Sequence, residues 1–441
     1  MNRRIFLKTT GASTALMLTP PLLRAAANAS PTDDEVLAGA KERIAQHRQD
    51  DGVIVVRGAD GRPVAGVTVK IEQLRHDFLF GSNAFMVGRI KEPALEAEYR
   101  RRFAALLNYA TLGFYWSGYE SQRGQPDYDY TDKVLEWSRA QGIICKGHPL
   151  VWDHPAGSPK WLPEDHAEIQ KLSHARVRDI VTRFQGRLDC WDVVNEPTHL
   201  GKANQQTRLS QFATKLGAAP YVRQHLEVAR AANPQATLLV NDYKLEPRYY
   251  KILDALRDGG KLLFDAVGLQ SHMHDGGWPL RRVQEICDTY AKLGLPLHFT
   301  ETTIISGPRT GPGENWGATA SELEEKQADY VAKFYTALFA HPAVQAVTWW
   351  DFADLGAWQG AAAGWLRKDM SPKPVYDRLL ALIKGQWWTG TGGRTNANGE
   401  FSARLFFGTH RVTAQLPDGR TVASEVHCQR GGGNRFQVMV N

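Results

Sequence analysis

The sequence contains little cysteine. Its 441 residues include four cysteines, at positions 145, 190, 287 and 428, and no two have the Cys-x-x-Cys spacing that is typical of zinc and redox sites. We therefore expect neither a metal nor a cofactor. Cys145 and Cys190 fall in neighbouring predicted strands and could form a disulfide in an oxidising compartment. Buried free thiols are the favoured alternative, because cysteine packs as a small apolar side chain.

Long apolar runs are missing after the first 29 residues, so the sequence predicts no transmembrane helix in the mature protein. In residues 1–29, Met1 is followed by the segment Asn-Arg-Arg-Ile-Phe-Leu-Lys and then by apolar and small residues. This pattern resembles a twin-arginine signal, with cleavage expected near Ala27 or Ala29. It predicts an exported protein, periplasmic or secreted; the alternative is a short buried helix.

A strong excess of charge is also absent. The predicted signal carries four basic residues and no acidic one, so its removal lowers the formal net charge from +6 to +2 (6 minus 4). The pI of about 9.0 is therefore no evidence for binding to nucleic acid or to an anionic membrane. We expect no partner of either kind, and no oligomeric state follows from the sequence.

The composition predicts a large core, since 43% of the residues are hydrophobic. Strand-like and helix-like segments alternate through residues 77–384, which predicts a parallel (β/α)8 TIM barrel. The clearest helix begins at Ser321, where Ser321 and Glu324 predict a capping box. The eight predicted strands are Phe78–Ala84, Tyr109–Phe114, Ile143–Gly147, Leu188–Val194, Thr237–Asn241, Ala266–Gln270, Leu297–Glu301 and Val344–Asp351.

The chain is longer than one barrel of about 250 residues, and both ends carry strand patterns. Residues 30–76 contain a helical segment and then two strands around an Asp-Gly turn, which predicts a β-hairpin. Residues 385–441 contain several short strands and a second Asp-Gly turn. Because an isolated hairpin is marginally stable, we expect the two ends to form one small antiparallel β-sandwich beside the barrel. It either supports packing or binds sugar.

Two glutamates follow apolar strands. Trp191-Asp192-Val193-Val194-Asn195-Glu196-Pro197 ends one strand on an amide and a carboxylate, and Glu301 ends another, 105 positions later (301 minus 196). A glutamate after a strand is often only a surface residue. A pair on two barrel strands, however, is what glycosidic bond cleavage needs: one carboxyl protonates the leaving oxygen and the other attacks or activates water.

The surrounding motifs strengthen this interpretation. Gly147-His148-Pro149-Leu150-Val151-Trp152, Gly268-Leu269-Gln270-Ser271-His272 and Ser371-Pro372-Lys373-Pro374-Val375-Tyr376 accompany the two glutamates. Together they resemble glycoside hydrolase family 10, the xylanase family, over roughly Phe78 to Lys384. The resemblance implies a retaining hydrolase with Glu301 as nucleophile and Glu196 as acid/base.

The predicted substrate-binding residues lie after predicted strands, on the side where barrel enzymes carry their sites. Amides, histidines and indoles suit a polysaccharide or oligosaccharide, whose hydroxyls need hydrogen-bond partners and whose ring faces stack on aromatics. The resemblance implies that His272 binds the nucleophile and that Asn195 binds the sugar 2-hydroxyl. The set is Asn83, Trp116, His148, Trp152, Asn195, Tyr243, Gln270, His272, Trp350 and Trp358.

The sequence departs from the family pattern at two places. After the second strand the family carries Glu-Asn and Lys-Trp, whereas this chain has Thr-Leu-Gly-Phe-Tyr-Trp ending at Trp116. Leu112 and Tyr115 are expected to form an apolar and aromatic wall there. The family continues past the nucleophile with Leu-Asp, whereas Thr302 and Thr303 follow Glu301 here. A negative partner for His272 is thereby lost.

Three functions are consistent with these residues. The first is an exported retaining hydrolase of a β-1,4-linked plant cell-wall polysaccharide, with xylan as the leading candidate. The second is the same mechanism on another or a substituted β-glycoside, because the second-strand stretch is replaced. The third is a non-catalytic carbohydrate-binding barrel, which two close carboxylates argue against.

Overall fold

The computed structural model describes residues 32–200, 206–311 and 315–440. The predicted twin-arginine signal lies outside the described residues. Within the described ranges, no helix is long and apolar enough to cross a membrane.

The strands of the described residues are numbered in chain order. They are β1 (Gln49–Gly58), β2 (Thr68–His76), β3 (Leu79–Asn83), β4 (Tyr109–Gly113), β5 (Ile144–His148), β6 (Val151–Trp152), β7 (Cys190–Asn195), β8 (Thr237–Asp242), β9 (Arg257–Asp258), β10 (Lys261–Leu262), β11 (Ala266–Met273), β12 (Leu297–Ile304), β13 (Val344–Trp349), β14 (Gly390–Arg394), β15 (Glu400–Phe406), β16 (Gly408–Gln415), β17 (Thr421–Cys428) and β18 (Arg435–Val440).

The α-helices of the same residues are numbered likewise. They are α1 (Asp33–Leu37), α2 (Ala40–Arg48), α3 (Pro93–Leu106), α4 (Trp116–Tyr119), α5 (Asp129–Ala140), α6 (His166–Phe184), α7 (Arg208–Leu216), α8 (Ala218–Ala232), α9 (Pro247–Asp254), α10 (Leu280–Ala291), α11 (Ser321–Ala340) and α12 (Pro374–Ala381). The predicted capping box of α11 is wrong. Ser321 is the first helical residue and makes no capping bond, while the Glu324 side chain accepts hydrogen bonds from Thr319 and Arg367 instead.

The eight predicted barrel strands are confirmed. They pair in parallel in the order β5-β4-β3-β13-β12-β11-β8-β7, and a bridge from Gly147 to Trp191 joins β5 to β7 and closes the barrel. Apolar residues on the outer face of the strands pack against the surrounding helices in one continuous core. Cys145 and Cys190 are free thiols, as favoured above, and the Cys190 sulfur lies 3.3 Å from the Tyr109 hydroxyl.

The two chain ends form the predicted second body, a sandwich of two sheets with its own apolar core. One sheet has the order β15-β1-β18 and the other β14-β2-β16-β17. All pairs are antiparallel except β1 with β18, which is parallel.

The predicted hairpin of residues 53–72 is wrong in its pairing. A turn does form, with a single bridge between Arg57 and Pro63, but β1 and β2 then separate into different sheets. β1 and β2 each pair over more residues with strands of the C-terminal segment. A turn signal is local and carries no information about such distant partners.

The sandwich docks on the end of the barrel where the strands begin. Arg48 donates hydrogen bonds to the carbonyls of Phe339, His341 and Val344, at 2.7, 2.6 and 2.7 Å, around the start of β13. His76 packs edge-on against Phe80 of β3, with ring centroids 5.6 Å apart. The sandwich therefore packs on the end of the barrel opposite the strand ends that carry the predicted site residues.

Candidate active site

Irregular strand pairing brings the predicted site residues into the barrel mouth. The pairing of β7 with β8 skips Val193, and the pairing of β12 with β11 skips Thr300. Such bulges shift the alternation of side chains and occur next to active sites. As a result Asp192 and Asn195, three positions apart, both face the barrel interior, and Glu301 lies beside Gln270.

Glu196 has an unusual backbone conformation, with φ 56° and ψ 49°. The left-handed region is uncommon for residues other than glycine and recurs at functional sites. The turn is held by a 2.7 Å hydrogen bond from the Glu196 amide to the Asn241 carbonyl. The Thr198 amide and hydroxyl donate to Asp242 at 2.9 and 2.8 Å. These bonds direct the Glu196 side chain into the cleft.

Three amide side chains connect the two glutamates. Asn241 Nδ2 donates to Glu301 Oε1 at 2.6 Å and to Asn195 Oδ1 at 2.9 Å. Gln270 Nε2 donates to Asn195 Oδ1 and to Glu196 Oε1, both at 3.2 Å. These hydrogen bonds orient both carboxyl groups.

Two histidines lie beside Glu301, which is 4% exposed. His272 Nε2 lies 3.2 Å from Glu301 Oε2, and His148 Nε2 lies 3.8 Å from Glu301 Oε1. Burial alone would raise the pKa of Glu301, but the charge of His148, the hydrogen bond and charge of His272, and the charge of Lys146 outweigh it. The pKa of Glu301 is therefore lowered, and its carboxylate form is favoured.

Glu196 has the opposite electrostatic environment. Burial raises its pKa, and the negative charges of Glu301 and Asp242 raise it further, to about 8, against the hydrogen bonds from Gln270 and Trp152. Trp152 Nε1 donates to Glu196 Oε2 at 3.2 Å. At neutral pH, Glu196 is thus mainly protonated while Glu301 is ionised. One cleft holds a carboxylic acid and a carboxylate.

A buried ion network lies below the cleft, and sequence reasoning missed two of its members. Lys146 Nζ and His148 Nδ1 contact the same oxygen of Asp192, at 2.5 and 2.8 Å, and Lys146 and Asp192 are fully buried. The contact with Asp192 orients the His148 ring, whose other nitrogen faces Glu301. Strand alternation could have found Lys146, because residues 146 and 148 of one strand face the same side.

The cleft has a volume of about 830 Å³ and is lined by all but one of the predicted site residues. Trp350 is 6% exposed, whereas Trp358 is 44% exposed at the rim and lies 4.9 Å from the His272 ring. Among the described residues, no group of three His, Cys, Asp or Glu side chains could hold a metal. The predicted residues that line the cleft are Asn83, His148, Trp152, Asn195, Glu196, Tyr243, Gln270, His272, Glu301, Trp350 and Trp358.

The family model described as "Glycosyl hydrolase family 10" matches residues 82–382, more than half of the chain. The protein belongs to glycosyl hydrolase family 10. This match runs from within β3 through the rest of the barrel and includes both glutamates, and it confirms the resemblance found in the motifs.

Known relatives extend the comparison. The anti-sigma-I factor RsgI6 of Acetivibrio thermocellus is 25% identical over 403 residues, covering 89% of this chain and 48% of that protein. Endo-1,4-beta-xylanase 5 of Arabidopsis thaliana is 27% identical over 301 residues, covering 64% and 47%. The chain thus spans about half the length of these curated relatives.

Solved structures of family 10 share the barrel. Xylanase 10B from Thermotoga petrophila RKU-1, solved in complex with xylobiose, has a TM-score of 0.59 at 23% identity, covering 70% of this chain and 95% of that chain. Xylanase 10B from Thermotoga maritima has a TM-score of 0.58 at 22% identity, covering 70% and 96%. These likenesses show the fold.

The stretch after β4 differs from the prediction in two residues. Trp116, predicted to bind substrate, is 2% exposed in α4, donates its indole N–H to Glu120 at 2.8 Å and packs against Trp161 outside the cleft. Leu112, predicted to form part of the wall, is 2% exposed in the core between barrel and helices. Successive side chains of a strand point to opposite faces. Because Tyr109 faces the barrel interior, Leu112, three positions later, faces the surrounding helices.

Tyr115 alone forms the wall predicted for this stretch. It lines the cleft, with its ring 5.6 Å from the His148 ring and 5.9 Å from the Trp152 ring. Sequence reasoning missed two of its neighbours in the cleft wall, Phe85 and Met86, which follow β3. Their position directly after a barrel strand is the signal that could have identified them.

Proposed function

We propose that the protein is a retaining glycoside hydrolase that works by double displacement, with Glu301 as nucleophile and Glu196 as acid/base. One observation carries the proposal: the pKa values of two buried carboxyl groups in one cleft are shifted in opposite directions. An ionised group can attack while a protonated group supplies the proton to the leaving oxygen.

In the first step, Glu301 forms a bond to the anomeric carbon as the glycosidic C–O bond breaks, and Glu196 gives its proton to the departing oxygen. In the second step, Glu196 takes a proton from water, the water oxygen attacks the same carbon, and Glu301 leaves as a carboxylate. Asn195 lines the cleft, and its Oδ1 already accepts from Asn241 and Gln270, so its Nδ2 is suited to the sugar 2-hydroxyl, where the hydrogen bond strengthens in the transition state.

The leading substrate is a β-1,4-linked plant cell-wall polysaccharide, with xylan first. Family membership, together with relatives named endo-1,4-beta-xylanases, supports this choice. The cleft lining supports it chemically, because it combines the indoles of Trp350 and Trp358 with amide and imidazole groups. A binding barrel without catalysis is a weaker candidate, since two close carboxyl groups of opposite protonation serve no purpose in simple binding.

A second candidate is the same mechanism on another or a substituted β-glycoside. Tyr115 favours it, because an aromatic ring stands in the cleft beside His148 and Trp152. A ring face and one hydroxyl select differently from the amide and ammonium groups that the family pattern carries there.

A reducing-sugar screen over xylans, glucans and substituted oligosaccharides tests the proposal. Proton NMR of the first product distinguishes retention from inversion, and we expect the β-anomer first. Glu301→Gln keeps the size of the side chain but removes the nucleophile, and it is the matched inactive control. First release of the α-anomer, or equal activity of Glu301→Gln, would contradict the mechanism.

Export by the twin-arginine route is the accompanying proposal for localisation. It is tested by determining the N-terminus of the protein recovered from the periplasm or medium, which we expect near residue 28 or 30.

A further inference from the structure

The direction of a bound chain follows from the two glutamates. The acid must lie on the side of the leaving group, so the leaving sugars extend past Glu196 toward Tyr243, beyond β7 and β8. The sugars that remain on the nucleophile extend the opposite way, across Glu301 toward Asn83 and Tyr115, beyond β3 and β4. We call this second half the glycone arm.

Aromatic side chains stand across the glycone arm. Phe85 packs against Trp350 with centroids 5.5 Å apart and against Tyr115 at 6.0 Å, and Tyr115 reaches the His148 ring at 5.6 Å. These rings therefore form a continuous row of contacts from Trp350, which follows β13, to His148 at the centre of the site.

Met86 continues this row of side chains to Gly356, in the loop after β13. A methyl group added at Gly356 would lie 2.4 Å from Met86 Sδ, so the two residues are in close contact across the arm. Gly356 also has φ +75°, which favours glycine at this contact.

A second cavity, of about 280 Å³, lies on the other side of Phe85 and Tyr115 from the main cleft. Phe85 and Tyr115 line both this cavity and the main cleft, and Arg89 and Tyr130 form its far side. The two rings thus form a partition between two spaces that would otherwise make one longer groove.

We infer that the glycone arm ends at the Phe85–Tyr115 partition, so the protein releases short units from the non-reducing end of a β-linked oligosaccharide. The inference rests on the proposed hydrolase function and specifies where along the chain that hydrolase cuts. A chain lying across the cleft would need the space that the two rings occupy.

The Tyr115 hydroxyl is suited to recognising a chain end. Tyr115 lines the cleft, and its hydroxyl has no hydrogen-bond partner among the described residues. The terminal sugar of a 1,4-linked chain carries a free 4-hydroxyl, whereas an internal sugar has that oxygen in a glycosidic bond. A tyrosine hydroxyl can donate to this group or accept from it, and the aromatic rings exclude a continuing chain.

The test uses a β-linked hexaose of the sugar preferred in the screen, labelled at its reducing end, with mass spectrometry of the initial products. We expect the wild type to cut at the first or second bond from the non-reducing end. Phe85→Ala with Tyr115→Ala should raise the ratio of internal to terminal cuts at least tenfold. Tyr115→Phe is the matched control: it keeps the partition, so the cutting position should stay while KM rises about fivefold for the lost hydrogen bond.

A second measurement needs no variant. The same hexaose with its terminal 4-hydroxyl capped as a benzyl ether should be cut at least tenfold more slowly by the wild type. Equal rates on capped and free chains, or an even distribution of internal cuts by the wild type, would overturn the inference while leaving the hydrolase function intact. Absence of cleavage of every oligosaccharide and aryl glycoside would instead overturn the proposed function, and the inference with it.

Discussion

His272 Nδ1 lies 2.9 Å from the Thr303 hydroxyl, while its Nε2 lies 3.2 Å from Glu301 Oε2. Thr303 thus orients the histidine beside the candidate nucleophile, at the place where the family pattern continues with an acidic residue. A hydroxyl fixes the ring without adding negative charge. The Thr303 hydroxyl thus holds the His272 ring at the place where the family pattern has a carboxylate, but it does not supply the negative charge of that carboxylate.

The first prediction tests this contact. Thr303→Val keeps the shape of the side chain but removes the hydroxyl, so we expect kcat/KM on an aryl glycoside to fall about five- to tenfold, the equivalent of one hydrogen bond of about 1 to 1.4 kcal/mol. Thr303→Ser keeps the hydroxyl and should stay within about twofold of the wild type. An unchanged Thr303→Val enzyme would show that packing alone holds His272.

The second prediction concerns pH. Glu196 must be protonated to act as acid, and its pKa is raised to about 8, so kcat/KM should be maintained below pH 8 and lost as the pH rises through it. Glu301 must be ionised, and its pKa lies below the ordinary value of 4.5, so activity should persist until the pH falls below 4.5. A pH profile of kcat/KM measures both limbs. An alkaline limb near pH 5 would contradict the assignment of the acid.

The third prediction separates the two carboxyl groups. Glu301→Ala should remove nearly all turnover on every substrate, because the covalent step has no other nucleophile. Glu196→Ala should lower the rate on natural glycosides by about 10² to 10⁴, yet spare aryl glycosides whose leaving group is already acidic. The alkaline limb should also disappear in Glu196→Ala. Equal loss of aryl-glycoside hydrolysis in both variants would mean that the roles are wrongly assigned.

The barrel could be predicted because each of its strands is a short apolar run that ends in polar residues, and this pattern is local. The bulges at Val193 and Thr300 could not, because they depend on how one strand pairs with another. Leu112 and Trp116 were misplaced for a related reason. A residue's distance from a motif does not say which side of the strand or turn it faces, and only Tyr115 of that stretch lines the cleft.

The sandwich shows the same limit at longer range. An Asp-Gly turn correctly indicated where the chain reverses after β1, but β1 pairs with β15 and β18, which lie more than 340 positions away. The sequence of the turn does not show whether β1 pairs with β2 in a local hairpin or with two strands that are distant in the chain. The chain ends were nevertheless expected to meet, because neither could form a stable sheet alone.

The last prediction concerns the junction between sandwich and barrel. Removing residues 386–441 takes away both partners of β1 and both partners of β2. We therefore expect the whole protein to be destabilised, so that its melting temperature falls below that of the wild type. Arg48→Met is a more selective test of the same junction. It takes the Arg48 donor from the buried carbonyls of Phe339 and Val344, in a site where Arg48 is 7% exposed, whereas the His341 carbonyl keeps a hydrogen bond from the Val344 amide.

Each buried acceptor left unpaired costs about 1 to 3 kcal/mol, so the loss of the two buried bonds in Arg48→Met should lower the free energy of unfolding by about 2 kcal/mol or more. Arg404→Met is the matched control, because Arg404 also donates to two carbonyls, of Ala45 and Gln49, but from a side chain that is 46% exposed. Water can replace those bonds, and the change should be within about 0.5 kcal/mol. Urea unfolding of both variants measures the difference. If they unfold alike, Arg48 does not fasten the sandwich to the barrel, and the stability of the junction must come from the apolar contacts of His76 and its neighbours.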